Sequence, residues 1–200
     1  MTALIPPGHE AMIPTSSMTA IAARSDGTVR GMSTPLLADA FGHHIWANDV
    51  LLATCGALTV EQLETNVPGT YGSIIETLRH TVGADVAYLF VLTDGKIAEI
   101  DEAIMDVPAL RATNAIAGPA WQTFIASNPN AEATLTRHRG DGSSSSAPLS
   151  IRVAQVLHHG TDHRSQVCTA LTSLGIEPPD IDVWDYARQD GRLSETEATS

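Results

Sequence analysis

Lysine is almost missing from this 200-residue sequence. Lys96 is the only lysine, and Lys plus Arg total 11 against 23 for Asp plus Glu, which gives a formal net charge of -12. A nucleic-acid-binding face needs clustered basic residues to neutralise phosphates. We therefore expect no nucleic-acid partner.

Cysteine and aromatic residues are also scarce. The two cysteines, Cys55 and Cys168, lie far apart and form no CxxC pattern, which favours buried free thiols in a reducing compartment. Aromatic residues make up 4% of the chain and hydrophobic residues 43%, so the core is expected to be aliphatic and alanine-rich. This composition excludes a disulfide scaffold and disorder throughout the chain.

Long apolar runs are absent as well. The longest strongly apolar run, residues 86–92, is far too short to cross a bilayer. No basic segment followed by an apolar run stands at the N-terminus, where Pro6 and Pro7 interrupt the early apolar stretch. These features predict a cytoplasmic protein that does not bind a membrane.

The chain divides by composition into three parts. Residues 1–31 are rich in Pro, Gly, Ser, Thr and Ala without a sustained period, which predicts a flexible N-terminal extension. Residues 32–188 are expected to form a helical domain, with Pro35 at the first helical position. Residues 189–200 form a polar C-terminal tail.

Apolar residues at helical spacing predict an all-α fold, a four-helix bundle. Alternation over residues 133–139, followed by a Gly-Asp-Gly segment at 140–142 and a run of four serines, predicts a short irregular hairpin before the last long helix. A short terminal helix over residues 181–187 is expected to pack Trp184 back on the bundle. The predicted long helices cover residues 35–58, 72–92, 108–126 (with an interruption left open at Gly118 and Pro119) and 148–174.

Histidine is unusually frequent, with 8 residues, and the last long helix carries three of them in the segment LHHGTDHRSQV. At about 100° of turn per residue, His159 and His163 flank the apolar stripe and His158 points to solvent. Two imidazoles one helical turn apart can bind one metal ion, although hydrogen-bonded core or surface histidines are an equal alternative. Gly160 replaces the glutamate of a zinc-protease HExxH helix, which excludes that class.

His80 is the natural third ligand. It lies almost opposite the main apolar stripe of its own helix, yet Ala84 and Ala87 share its side. Two interpretations remain open on periodicity alone: this face lines a pocket, or His80 lies under a loop.

The other polar residues near these histidines are expected to have ordinary roles. His43 and His44 are predicted to be helix-surface residues. Glu76 and Asp162 are possible partners of a metal-bound histidine, but surface charges are the more common role for such residues. Cys168 points about 140° away from His163 around the helix, which favours packing.

Three segments resemble the DinB-like family of four-helix-bundle metalloproteins, which is related to mycothiol-dependent maleylpyruvate isomerases and bacillithiol S-transferases. They are HIWANDVLLATCGAL, GSIIETLRHTVGADVAYL and HHGTDHRSQVCTALTSLGIEPPDIDVWDY, and with their spacing they cover residues 32–186. The resemblance implies a metal site formed by His80, His159 and His163, followed by Arg164 and Gln166. It also leaves a homodimer open. The hairpin and the N-terminal extension are atypical of the family.

Three neutral imidazoles would leave a divalent ion with an open position, which is the arrangement of catalytic sites. Imidazole suits zinc, nickel and iron, so the metal stays open. With the resemblance, this predicts metal-dependent transfer of a low-molecular-weight thiol to a small electrophile. No catalytic residue is assigned, and the alternative is a non-catalytic metal-binding or stress-response bundle.

Overall fold

The computed structural model describes residues 36–138 and 140–196. They form six α-helices and one two-stranded sheet, which confirms the predicted, largely all-α fold. The predicted extension at residues 1–31 lies outside the described residues, as do Arg139 and residues 197–200. The helices are α1 (Leu36–Cys55), α2 (Val60–Leu63), α3 (Ile74–Leu92), α4 (Val107–Ala126), α5 (Leu149–Ser173) and α6 (Val183–Gln189); a 3-10 helix spans Glu102–Ile104.

Four long helices form the bundle. Helix α1 packs against α4 and α5, and α3 packs against the same two helices. The start of α3 is fixed by a capping box, in which the Ser73 hydroxyl accepts from the Glu76 backbone N–H and the Glu76 carboxylate accepts from the Ser73 backbone N–H. Helix α4 starts in a similar way, because the Asp106 carboxylate accepts from the Ala109 backbone N–H.

Helix α4 is continuous through Pro119, so the interruption left open by the sequence does not occur. Gly118 lies against α1, and an ideal Cβ at this position would stand 2.8 Å from Cγ2 of Ile45. The missing side chain therefore allows α1 and α4 to approach closely at the point where proline weakens the helix.

The predicted hairpin consists of β1 (Thr134–His138) and β2 (Ser144–Pro148), paired antiparallel with Leu135 opposite Ala147. Arg152 of α5 donates to the backbone oxygens of Leu135 and Ser145 at 2.8 and 3.0 Å. These two hydrogen bonds fasten both strands to the start of α5.

Helix α6 packs on α1 through a different residue from the one predicted. Trp184 is 65% exposed, so the expectation that it packs back on the bundle is wrong. Tyr186 makes the contact instead: its ring centroid lies 5.7 Å from that of Trp46, and its hydroxyl occupies the space that a Cβ on Gly42 would need. Only one face of this short helix meets α1, and Trp184 lies on the other.

A layer of buried polar residues crosses the bundle between two hydrophobic clusters. Each of the helices α1, α3, α4 and α5 contributes residues to both clusters. On each helix, buried polar residues lie between the residues of one cluster and those of the other. We call the buried set His44, Asn48, Asp85, Asn114 and Arg164 the polar layer. The first cluster includes Leu51, Leu52, Ile74, Leu78, Val82, Leu110, Val167 and Leu171; the second includes Phe41, Val86, Leu89, Ala117, Trp121, Val153 and Val156.

Candidate metal centre

The structure brings the three predicted ligands together beside the polar layer. Nε2 of His159 lies 3.1 Å from Nε2 of His80 and 3.2 Å from Nε2 of His163. One ligand atom from each of the three histidines falls within a group whose members are at most 4.8 Å apart. We call His80, His159 and His163 the triad.

The spacing of these nitrogens suits a small divalent cation. A tetrahedral ion with metal–nitrogen bonds of about 2.0–2.1 Å holds its nitrogens roughly 3.3 Å apart, close to the two separations in the triad. The donor set is three imidazoles with no carboxylate among them. Imidazole nitrogen of this kind suits zinc, nickel or iron, so the residues fit a metal without choosing it.

His163 on α5 is held in the tautomer that metal binding requires. The Gln166 side-chain oxygen accepts from the Tyr71 backbone N–H at 2.9 Å and lies 3.1 Å from Nδ1 of His163. A backbone N–H can only donate, so this atom of Gln166 is its oxygen, and Nδ1 of His163 must carry the proton. Nε2 of His163 therefore presents its lone pair to the other two histidines.

His80 on α3 lies between an aromatic ring and a carboxylate. Tyr71 stacks on its imidazole with ring centroids 4.2 Å apart and planes only 7° from parallel. Oε1 of Glu102, on the 3-10 helix, lies 4.0 Å from Nδ1 of His80. Gly83 allows this approach, because an ideal Cβ there would stand 2.0 Å from Oε2 of Glu102.

His159 has the least support at its outer nitrogen. Among the described residues, its buried Nδ1 atom has no hydrogen-bond partner. Burial, reinforced by His163 and His80, lowers the pKa of His159 from 6.5 to about 4. Burial and the neighbouring His163 also lower the pKa of His80, while Glu102 opposes that shift. Both imidazoles are therefore neutral at pH 7, as metal ligation requires.

A cavity of about 490 Å³ opens onto His80 and His159. Ala84 and Ala87 line it together with residues 99–103 of the connection between α3 and α4. The face of α3 that carries His80 therefore lines a cavity and also lies under this connection, so both interpretations left open by the sequence apply. A second cavity, of about 480 Å³, contains Tyr71 and meets the triad only at His80. The larger cavity beside the hairpin, about 630 Å³, is lined by none of the three histidines.

The polar layer explains a histidine that the sequence placed wrongly. His44 was expected on the helix surface, but it is only 1% exposed. Arg164 Nη1 donates to Nδ1 of His44 at 3.0 Å and to Oδ1 of Asn48 at 2.8 Å. Nε2 of His44 therefore donates to Oδ2 of Asp85 at 2.8 Å, and Nδ2 of Asn48 donates to the same oxygen at 3.0 Å.

Arg164 and Asp85 are thus a buried cation and anion joined through two neutral side chains. Burial lowers the pKa of Arg164 to about 10, and Asp85 opposes that shift. Gly160 makes the arrangement possible, because an ideal Cβ there would stand 2.4 Å from Cε1 of His44. The glycine that excluded a zinc-protease helix is required here for packing.

The other predicted neighbours have different roles. Glu76 caps α3 rather than contacting the triad, and Asp162 and His158 are exposed. Burial raises the pKa of Cys55 to about 12 and also raises that of Cys168; both side chains pack with the first hydrophobic cluster. Helical spacing carries no signal for Tyr71 or Glu102, because both lie on connections between the long helices.

The chain is similar to a known protein family. A protein-family model described as the DinB family matches residues 32–197. No curated protein matches the chain. Within the described residues, no helix has the length and apolar character needed to cross a membrane.

Proposed function

The chain belongs to the DinB family, and from this premise we propose that it is a metal-dependent thiol S-transferase whose metal is held by His80, His159 and His163. Its cofactor is a divalent ion: zinc, nickel or iron. Its substrates are a low-molecular-weight thiol and a small electrophile. A cytoplasmic location, where such thiols stay reduced, belongs to the same proposal.

The observation that supports this function most directly is the open cavity beside the converging nitrogens. The triad supplies three neutral ligands, and the cavity of about 490 Å³ next to His80 and His159 leaves room for a further ligand. Three protein ligands and an open position are typical of catalytic rather than structural metal sites. A bound divalent ion would lower the pKa of a coordinated thiol and so supply a thiolate nucleophile at neutral pH.

The residues around the triad contribute orientation. Gln166 holds His163 in one tautomer, Tyr71 stacks on the ring of His80, and the Glu102 carboxylate lies 4.0 Å from Nδ1 of that ring. In the transfer itself, the thiol sulfur forms a bond to the electrophilic carbon as the bond to the leaving group breaks. The thiol proton passes to solvent, and the leaving group takes the electron pair of the broken bond.

The metal site is tested by exchanging neighbouring histidines on α5. We expect His159→Ala to weaken metal binding by more than about 100-fold, because it removes a ligand and not merely a residue that supports one. His158→Ala is the matched control, since this exposed imidazole lies one residue away. Metal content after dialysis, measured by mass spectrometry, distinguishes them. Equal metal content in both variants would contradict the site.

Turnover is tested separately with metal-loaded protein, a panel of cellular thiols and a chromogenic electrophile. We expect thiol-dependent product formation that is lost in metal-free protein and in His159→Ala. Bound metal without any rate above the metal-free control, across the panel, would instead support the alternative, a non-catalytic metal-binding or stress-response bundle.

A further inference from the structure

The charges around the cavity beside the triad do not balance. Four charged side chains line it besides the histidines: Glu99, Asp101, Glu102 and Arg137. Arg137 pairs with Glu99, with Nη2 and Oε1 3.2 Å apart. The Asp101 carboxylate caps the 3-10 helix by accepting from the Ala103 backbone N–H at 3.3 Å. Neither Asp101 nor Glu102 has an arginine or lysine partner among the described residues, and the Glu102 carboxylate is the one that faces a histidine of the triad.

Glu102 lies against the wall of this cavity. Its Oε1 faces Nδ1 of His80 at 4.0 Å, and its Oε2 lies where a Cβ of Gly83 would otherwise be. The segment that carries it is fastened to α3, because Arg79 Nε donates to the backbone oxygen of Met105 at 2.7 Å. An uncompensated carboxylate is thus held next to a metal-ligand histidine, in the cavity where a further ligand has room.

We propose that the thiol accepted at this site carries a positively charged group, and that Glu102 is the residue that selects it. This inference rests on the proposed thiol transfer and adds the charge of the thiol. A cationic group on a short arm from the sulfur would lie among carboxylates and pair with Glu102. An anionic group in the same place would meet Glu102 and Asp101, while Arg137 is already paired with Glu99.

The size of the selection follows from the exposure of Glu102. Its side chain is 45% exposed, so water screens its charge. Partly exposed ion pairs of this kind change binding by up to about fivefold. A preference of this size is measurable when the ligands compared differ only in charge.

The experiment uses the full chain loaded with Co²⁺ and three thiols that share a two-carbon arm. Thiocholine carries a positive charge, 2-mercaptoethanol none and 2-mercaptoethanesulfonate a negative charge, and none offers an amine that could chelate the metal. Sulfur-to-cobalt charge-transfer absorption reports binding of each thiol. The measured quantity is the Kd of the anionic thiol divided by the Kd of the cationic thiol. This ratio is compared between wild type and Glu102→Gln, because differences in the intrinsic acidity of the thiols then cancel.

We expect this ratio to fall about threefold to fivefold in Glu102→Gln. It should keep its wild-type value in Glu177→Gln, which removes the same charge from an exposed residue outside the cavity lining. An unchanged ratio in Glu102→Gln, with all three thiols still bound, would overturn the charge selection and leave thiol ligation standing. Absence of the absorption band with every thiol in wild type would overturn both proposals.

Discussion

The triad and the polar layer both contain histidine, and they meet on α5, yet their ring nitrogens face different partners. In the polar layer, both nitrogens of His44 are hydrogen-bonded, one to Arg164 and one to Asp85. In the triad, three Nε2 atoms point at each other. Two imidazole nitrogens at this distance cannot both present lone pairs unless a proton or a cation lies between them. The partners of each nitrogen therefore separate a histidine that stabilises the fold from one that is suited to bind metal.

The largest expected effect on this comparison comes from removing the buried anion of the polar layer. We expect Asp85→Asn to lower the free energy of unfolding by about 3 kcal/mol, because Arg164 is left as a buried cation without its counter-charge. The control is Asp49→Asn, which breaks an ion pair with Arg111 whose side chains are about half exposed and should cost about 1 kcal/mol or less. Urea unfolding of the metal-free variants measures both. Equal decreases in the free energy of unfolding for Asp85→Asn and Asp49→Asn would contradict the role of Asp85 as the counter-charge of a buried cation.

A second change tests the part of α5 where the triad and the polar layer meet. We expect Gly160→Ala to destabilise the protein by about 2 kcal/mol, because the added methyl group overlaps the ring of His44. This loss should exceed the gain in helix propensity from alanine, about 1 kcal/mol. Gln155→Ala, at an exposed position of α5, is the control. Thermal unfolding monitored by circular dichroism compares the two variants. A Gly160→Ala variant more stable than Gln155→Ala would contradict the packing role of Gly160.

A third change acts on the triad alone. Gln166→Leu removes the acceptor that holds the proton on Nδ1 of His163, and we expect metal affinity to fall about tenfold. Gln166→Glu keeps an oxygen acceptor and should restore most of that affinity. Competition with a metal chelator of known affinity gives both values. If Glu and Leu weakened binding equally, the hydrogen bond to His163 would not matter for the metal.

The smallest expected effect is on the pH dependence of the metal-free protein. Since the folded state holds the pKa of His159 at about 4 against 6.5 in the unfolded chain, the unfolded state binds the extra proton between these values. The contribution of this histidine to stability is thus present above pH 6.5 and is lost as the pH falls towards 4. We expect a shallower fall in His159→Gln, measured by urea unfolding from pH 7 to pH 4.5. A slope as steep as that of wild type would contradict the shift.

Helical periodicity located the long helices because it reflects burial of one face by each helix separately. The expected boundaries at residues 72–92 agree closely with α3, Ile74–Leu92. The expectations for Trp184 and His44, which did not rest on periodicity, were wrong. The exposure of Trp184 depends on which side of α6 meets α1, and the burial of His44 depends on Arg164, which lies 120 residues away in the chain. The local sequence pattern predicts neither contact. The domain boundaries at residues 31 and 188 stay a prediction.

The sequence by itself determined that His159 and His163 share one face of α5, because residues four apart on a helix do so whatever surrounds them. It did not decide between metal ligands and hydrogen-bonded histidines. The family resemblance supplied His80. The tertiary structure decided the rest. His80, 79 residues before His159, comes within 3.1 Å of it, Tyr71 stacks on the His80 ring, and His44 turns inward to Asp85 and Arg164. The physical reason is that hydrogen bonds and ring contacts between distant segments exist only once packing has brought those segments together, whereas the turn of a helix is set by its own backbone.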